Sequence, residues 1–455
     1  MIIHVGGDEV ALIGTCPECK KLFSEVGRMG IYLEYFIYIN GLLKSHGRKM
    51  GVWGDQILIF QPGSKFWVDK EIETKFFEQN KKLFDHIRDN TIIYDWWYEG
   101  GSPESIAFLK ENRLQFVSCS STNGCYTAGI TLSQQKSQRS LYKDALSSGA
   151  YGILTCDWMN YIGYHAELGG LNLASGALFS WSGTDRFDTD ESFERFRRIY
   201  ALYRYGTEAI VDYLHMTSDY NSELLALFPQ KFRGNALRKS VFFSDNPLDI
   251  FMRFDVFFSD GKLAAYKRAI DKLEKLWDKA SSETDDPWFY LQKMPLLVHQ
   301  QIYRRYVAFD AFYREYDKAA NMQFDDTAGF RRAIGRCKRI LKAHRDNDYA
   351  EIIDYAEEIC NKLGMDYASV LRLKKTRDNL NKLIRFLTHM TQSDRSLPYV
   401  GMLSSYLFTR IESPFWYPRS YEWAKEQPPF VSYEVDDRSL AMCYDFDYDK
   451  LNPLK

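Results

Sequence analysis

The stretch Ile2-Ile3-His4-Val5-Gly6-Gly7-Asp8-Glu9 decides how this chain is interpreted. A short apolar run ends in two glycines, and two adjacent carboxylates follow. The pattern predicts a buried β-strand that stops at a tight turn, where glycine lets the backbone bend and lets a ligand come close. Crowding two carboxylates raises the pKa of one of them. Such a pair in a pocket combines a proton donor with a group that stays ionised.

Strands and helices alternate over the rest of the first 182 residues. Further β-rich runs lie at 49–55, 91–98, 115–119 and 151–158. Apolar residues at helical spacing predict helices at 29–45, 70–88, 133–147 and 167–181, with a short one beginning at Ser102-Pro103. Loops are predicted around Gly14 and Pro17 and from Ile57 to Trp67. This alternation is typical of an α/β fold with a parallel sheet.

The motif His-x-Gly-Gly-Asp-Glu resembles that of family 20 glycoside hydrolases, the β-N-acetylhexosaminidases. In that family it closes the fourth strand of a (β/α)8 TIM barrel, a fold whose active-site strands end in this way. Trp53-Gly54-Asp55 is similar to the Trp-x-Asp after the fifth strand. Thr155-x-x-Trp158-x-x-Tyr161, with Glu167-Leu168 beyond, is similar to the eighth-strand region of the hexosaminidase D-like branch.

The resemblance covers about residues 2–182 and implies a partial barrel made of strands four to eight. Strands one to three have no counterpart, and neither does the arginine that the family carries on its first strand. Five strands would leave two open edges, which favour pairing or aggregation. Either the chain is a fragment, or a preceding segment or another chain completes the barrel, or the sheet is open and covered.

The resemblance also implies a reaction, the retaining removal of terminal β-linked GlcNAc or GalNAc from a glycan. Glu9 would be the general acid/base. Asp8 would steady the substrate's 2-acetamido group, whose carbonyl oxygen acts as the nucleophile in place of a protein carboxylate. The aromatic walls of the pocket would come from Trp53, Trp97 and Trp158.

Further substrate contacts are expected from several polar and aromatic side chains. They are His4, Asp55, Tyr98, Tyr126 and Tyr161. The family's Tyr-x-Asp is replaced by Tyr126-Thr127-Ala128, so Tyr98 and Tyr161 are alternative donors to the acetamide oxygen. Asp157 or Asn160 would then contact the 4- or 6-hydroxyl. His4 is either hydrogen-bonded below the site or a structural core histidine.

Two other functional classes stay open. One is a catalytically inactive, carbohydrate-binding remnant of the same fold. The other is a metal-dependent barrel hydrolase using His4, Asp8, Glu9 and His165, although such barrels usually show several histidines at strand ends and the chain has only 8. Cys16-Pro17-Glu18-Cys19 has metal-ligand or redox spacing. No second Cys-x-x-Cys follows, so free thiols or a local disulfide are favoured over zinc. We predict no metal and no cofactor.

The chain changes character beyond about residue 190. Long amphipathic helices are predicted at 191–215, 247–257, 261–281, 286–320, 327–345, 348–363 and 367–391. The predicted domains are a catalytic partial barrel (1–190), a helical domain (191–392) and an aromatic-rich segment that packs back on the body (393–455).

The composition limits the classes of partner that we expect for this protein. The 455 residues are 26% charged and 45% hydrophobic, as in ordinary soluble proteins, and the net charge of −2 gives no indication of nucleic acid. No run approaches 18 apolar residues, so no membrane span is predicted. Aromatic residues make up 16%; they suit sugar rings, although most are expected in the core. We expect a cytoplasmic protein if Met1 is the true start, and a periplasmic or secreted one if an upstream segment precedes it.

Overall fold

The structure is a computed structural model that describes most of the first 392 residues. The described residues are 1–8, 10, 13–14, 16–59, 70–98, 100, 103–122, 132–157, 166–218, 224, 261–365, 368–392 and 397. They fall into two compact units. The first contains the described residues of Met1–Gly124, Thr131–Trp158 and Gly169–Phe196, and the second contains those of Met159–Leu168 and Arg197–Lys455.

Five parallel strands form one sheet in the first unit, and they lie side by side in chain order. They are β1 (Ile2–His4), β2 (Lys49–Trp53), β3 (Thr91–Trp96), β4 (Gln115–Ser121) and β5 (Gly152–Cys156). The register pairs Ile3 with Met50 and Ile93 with Phe116. The predicted α/β class with a parallel sheet is therefore confirmed.

Helices follow each of the five strands, as the spacing of apolar residues predicts, although the single helix predicted at 70–88 is two helices. They are α1 (Pro17–Ser45), α2 (Asp55–Ile59), α3 (Lys70–Lys81), α4 (Phe84–Ile87), α5 (Pro103–Glu111), α6 (Ser133–Ser147) and α7 (Gly170–Ser182). A 3-10 turn, Ala166–Gly169, precedes α7. The bounds of α6 match the predicted 133–147. The loop predicted from Ile57 is wrong at its start, because Asp55–Ile59 is helical.

The first helix begins twelve residues earlier than predicted, at Pro17 instead of residue 29. The loop predicted around Gly14 and Pro17 is therefore wrong from Pro17 onward. Gly27 has φ 69° and ψ −176°, so the helix is kinked there and continues beyond it. Cys16 caps the first turn, and Pro17 occupies a position where its missing N–H costs no hydrogen bond.

The two faces of the sheet are packed differently. Met50, Val52 and Ile93 face a core formed with side chains of α1, α3, α4 and α5. Their neighbours point to the other face, because side chains alternate along a strand. That second face holds the buried residues Ile92, Val117, Cys119 and Cys156, with Ile2, Trp53, Tyr94 and Trp96 partly buried beside them.

Long helices make up the second unit. They are α8 (Asp190–Tyr205, which begins in the first unit), α9 (Ile210–Thr217), α10 (Lys262–Ser281), α11 (Met294–Met322), α12 (Thr327–Ala343), α13 (Tyr349–Leu363) and α14 (Ala368–Met390). A 3-10 turn, Phe289–Lys293, precedes α11, and a π-helical turn, His344–Asp348, precedes α13.

Two predicted helices of this unit differ from the structure by more than one or two residues. The single helix predicted at 191–215 is two helices, separated where Gly206 adopts φ +76°. The helix predicted at 286–320 begins only at Met294, after the 3-10 turn. The helix predicted at 247–257 lies outside the described residues, as does the C-terminal segment apart from Leu397. Of the helices that are described, none is both long enough and apolar enough to cross a membrane.

Candidate functional site

After β1 the chain passes through Gly6 and Gly7, and this glycine turn places Asp8 at the carboxyl edge of the sheet. The Trp53 N–H still donates to the Gly6 carbonyl at 3.1 Å, so pairing with β2 continues to that point. Gly6 and Gly7 then adopt φ +74° and +94°. A Cβ at Gly7 would lie 2.7 Å from Cζ of Phe36 and 2.8 Å from the Tyr32 hydroxyl oxygen. Glycine is therefore required at position 7 both for its conformation and for space.

Tyr32 of α1 anchors this turn. Its hydroxyl donates to the Gly7 carbonyl at 3.1 Å. Burial raises the pKa of Tyr32 well above its usual value, and the carboxylates of Asp55 and Asp8 add to that rise. Both carboxylates thus lie within electrostatic reach of one hydroxyl. The same hydroxyl lies 3.5 Å from the Trp53 carbonyl oxygen, so the segment before Asp8 and the end of β2 meet at Tyr32.

Asp55 lies in the first turn of α2, directly after β2 and Gly54. Its carboxylate accepts hydrogen bonds from Trp96 Nε1 at 3.3 Å and from Gln56 Nε2 at 2.8 Å. Trp96 is the last residue of β3. The contact therefore links the ends of two neighbouring strands, and it holds the Asp55 carboxylate at the edge of the sheet.

Aromatic rings line the same edge. The His4 ring makes edge contacts with Trp53 and Tyr94, each with centroids 4.6 Å apart. The rings of Trp96 and Tyr98 continue this row, with their centroids 5.1 Å apart. Burial lowers the pKa of His4, while the nearby Asp8 carboxylate opposes that shift. These rings form an apolar wall beside two carboxylates, an arrangement that suits a ligand with both apolar faces and polar edges.

Trp97 lies on the other side of the strand. It packs against the buried cluster that contains Leu141 and Tyr142 of α6 and Phe179 of α7. Trp96, which is not among the predicted site residues, lies beside Asp55 instead. The sequence contained a signal for this placement of Trp96. Side chains alternate along a strand, and Tyr94, Trp96 and Tyr98 occupy every second position, so they face the same side. Tyr32 was also missed, because a tyrosine within a helix cannot be told from a core residue by its spacing.

Two thiols, those of Cys119 on β4 and Cys156 on β5, lie next to the aromatic wall. Cys119 and Cys156 are buried side by side on the second face of the sheet. Hydrogen bonds from Cys119 and Tyr98 lower the pKa of Cys156, whereas burial raises the pKa of Cys119 well above its usual value. The adjoining Asp157 carboxylate accepts a hydrogen bond from Thr122. Tyr98 thus bridges the aromatic wall and the thiol pair.

The predicted site residues divide into three groups. The structure brings together His4, Asp8, Trp53, Asp55 and Tyr98. It places Trp97 apart, among core residues. Glu9, Tyr126, Trp158 and Tyr161 lie outside the described residues, as do Asn160 and His165.

The described part of the chain contains no group of three His, Cys, Asp or Glu side chains placed to hold a metal ion. No protein-family model matches the sequence, and a search of curated proteins found no similar one.

Proposed function

We propose that the carboxyl edge of the sheet is the active site of a retaining exo-β-N-acetylhexosaminidase, built on a partial TIM barrel. The observation that supports this most strongly is the convergence of Asp8, Asp55 and Trp53 at the ends of adjacent parallel strands, beside Trp96 and Tyr98. Barrel enzymes place their chemistry at this edge. Aromatic rings next to carboxylates match the alternating apolar and hydroxyl-bearing surfaces of a sugar ring.

Each residue has a role in this proposal. Glu9 protonates the glycosidic oxygen as the bond to the anomeric carbon breaks. The acetamide oxygen of the substrate attacks that carbon, and Asp8 orients the acetamide nitrogen and balances the charge that develops on it. The aromatic wall holds the acetamide in line for attack, which raises its effective concentration. Water then opens the cyclic intermediate, with Glu9 as the base.

Hydrolysis of 4-nitrophenyl N-acetyl-β-glucosaminide and of the matching galactosaminide tests this proposal. Glu9→Gln and Asp8→Asn should each lower kcat/KM by at least about a hundredfold, because each removes a group that acts only in the transition state. Glu25→Gln, an exposed glutamate of α1, is the matched control and should leave kcat/KM unchanged. Hydrolysis that survives both site substitutions would refute the assigned roles.

The inactive, carbohydrate-binding remnant is the second candidate. The aromatic wall favours it equally, because stacking on a sugar needs no proton donor. Titration calorimetry with N-acetylglucosamine separates the two functions. Binding that depends on Trp53, without turnover of either nitrophenyl substrate, would identify the remnant.

A further inference from the structure

Cys16 and Cys19 form an exposed dithiol at the start of α1. Cys16 is the N-cap residue, with φ −76° and ψ 158°, and its sulfur accepts a hydrogen bond from the Cys19 backbone N–H at 3.3 Å. Pro17 fills the first helical position between them. Both thiols are free, Cys16 exposed and Cys19 partly buried. The proposed hydrolase reaction uses neither of them.

The two sulfurs are in different environments. The Cys16 sulfur lies at the positive end of the helix and receives a backbone N–H, the surroundings in which reactive cysteines are found. The Cys19 thiol donates to the Cys16 sulfur, and this hydrogen bond raises the pKa of Cys19. Cys16 is thus the more accessible sulfur, and Cys19 retains its proton beside it.

The spacing permits the two sulfurs to join. Helix geometry places α-carbons three residues apart at about 5 Å. Disulfides span α-carbon separations of about 4.4–6.8 Å. A bond between Cys16 and Cys19 therefore needs no unwinding of α1. A metal would need further ligands, and the described residues supply no third one near this pair.

The geometry points to a thiol–disulfide exchange centre at Cys16 and Cys19. Cys16 is the attacking thiol and Cys19 the resolving thiol. The oxidant is a small-molecule disulfide such as glutathione disulfide. The Cys16 thiolate attacks one sulfur of glutathione disulfide, breaks its S–S bond and releases one glutathione thiolate. Cys19 then loses its proton to solvent and attacks the Cys16 sulfur. The second glutathione leaves, and both cysteines are oxidised while one glutathione disulfide becomes two glutathione thiols.

Mass spectrometry of the full chain tests this centre. The protein is equilibrated in glutathione buffers of graded ratio, quenched with acid and digested with trypsin. One tryptic peptide, residues 1–20, contains both cysteines. We expect the wild type to lose two hydrogens from this peptide as the buffer becomes more oxidising. The buried Cys337 and Cys360 are internal controls and should stay reduced.

Two serine variants test the order of attack. Cys19→Ser should accumulate a stable glutathione adduct on Cys16, because the resolving thiol is gone. Cys16→Ser keeps a good N-cap residue, so α1 is preserved. Its Cys19 should form an adduct at least about tenfold more slowly than Cys16 does in Cys19→Ser, since Cys19 is the less accessible of the two thiols.

Three results would overturn the inference. The first is that no internal disulfide forms in the most oxidising buffer. The second is that the wild type accumulates adducts on Cys16 that Cys19 never resolves. The third is that the two variants form adducts at equal rates. None of these measurements uses glycoside hydrolysis. A negative result here therefore leaves the proposed hydrolase untouched, and a failed hydrolase assay leaves this centre untouched.

Discussion

Two neighbouring tryptophans, one at the end of β3 and one directly after it, show that a shift of one position along the chain changes the role of a side chain. Trp96 donates to Asp55 at the edge of the sheet, while Trp97 packs against α6 and α7. The two residues are chemically identical neighbours. Because side chains alternate along a strand, one reaches the candidate site and the other the core.

Substituting each tryptophan by phenylalanine should separate binding from stability. Trp96→Phe removes the hydrogen bond to a carboxylate, so we expect kcat/KM for the nitrophenyl glycoside to fall about tenfold. Trp97→Phe should leave KM close to the wild-type value and lower the free energy of unfolding by about 1–3 kcal/mol through lost packing. Steady-state kinetics and urea unfolding measure the two effects. The same kinetic loss in both variants would contradict the placement of the two rings.

At the scale of elements, the kinked helix α1 supports the candidate site. Its Tyr32 anchors the turn that precedes Asp8, and Arg28 donates to the Val10 carbonyl at 2.5 Å. Gly27 interrupts the helix just before these residues, in a backbone region that is almost exclusive to glycine. The kink therefore separates the first turns, which carry the cysteines, from the part that holds the site.

Gly27→Ala should lower the free energy of unfolding by about 1–3 kcal/mol, because alanine is strained at this backbone conformation. Gly41→Ala is the matched control in the same helix, at an exposed position where a Cβ meets nothing within 4 Å. It should raise stability by about 0.4–1 kcal/mol by restricting the unfolded chain. Urea denaturation followed by circular dichroism compares them. A stabilising effect of both substitutions would show that the helix has no kink at Gly27.

On the scale of the whole molecule, the helical unit contains buried groups that link its stability to pH. His299 of α11 is buried and hydrogen-bonded through Nδ1 to the Tyr266 hydroxyl at 2.7 Å. Burial lowers the pKa of His299 from 6.5 to about 4. The folded state therefore keeps this imidazole neutral at pH values where the unfolded chain has already bound a proton.

The sign of the pH effect follows from proton binding. Between pH 6.5 and about 4 the unfolded chain binds one more proton at His299 than the folded chain does. The free energy of unfolding should fall as the pH is lowered through this window, and the loss from His299 should level off at about 3 kcal/mol. Burial also lowers the pKa of His344, which acts in the same direction.

Comparison with His299→Gln isolates this contribution, since glutamine stays neutral and His344 is common to both proteins. Urea unfolding at several pH values should show a shallower loss of stability in the variant. Equal slopes for the two proteins would mean that His299 is not buried in the neutral form.

The sequence by itself determined the order of strands and helices and the edge of the sheet at which acids and aromatics gather. Both depend on local pattern, because apolar periodicity marks each element and the ends of parallel strands share one edge. Tertiary structure alone decided that Tyr32 anchors the turn before Asp8 and that Asp55 accepts a hydrogen bond from Trp96. These features depend on packing between residues far apart in the chain, such as Gly7 against Phe36. A local pattern cannot encode which neighbour will fill a given space.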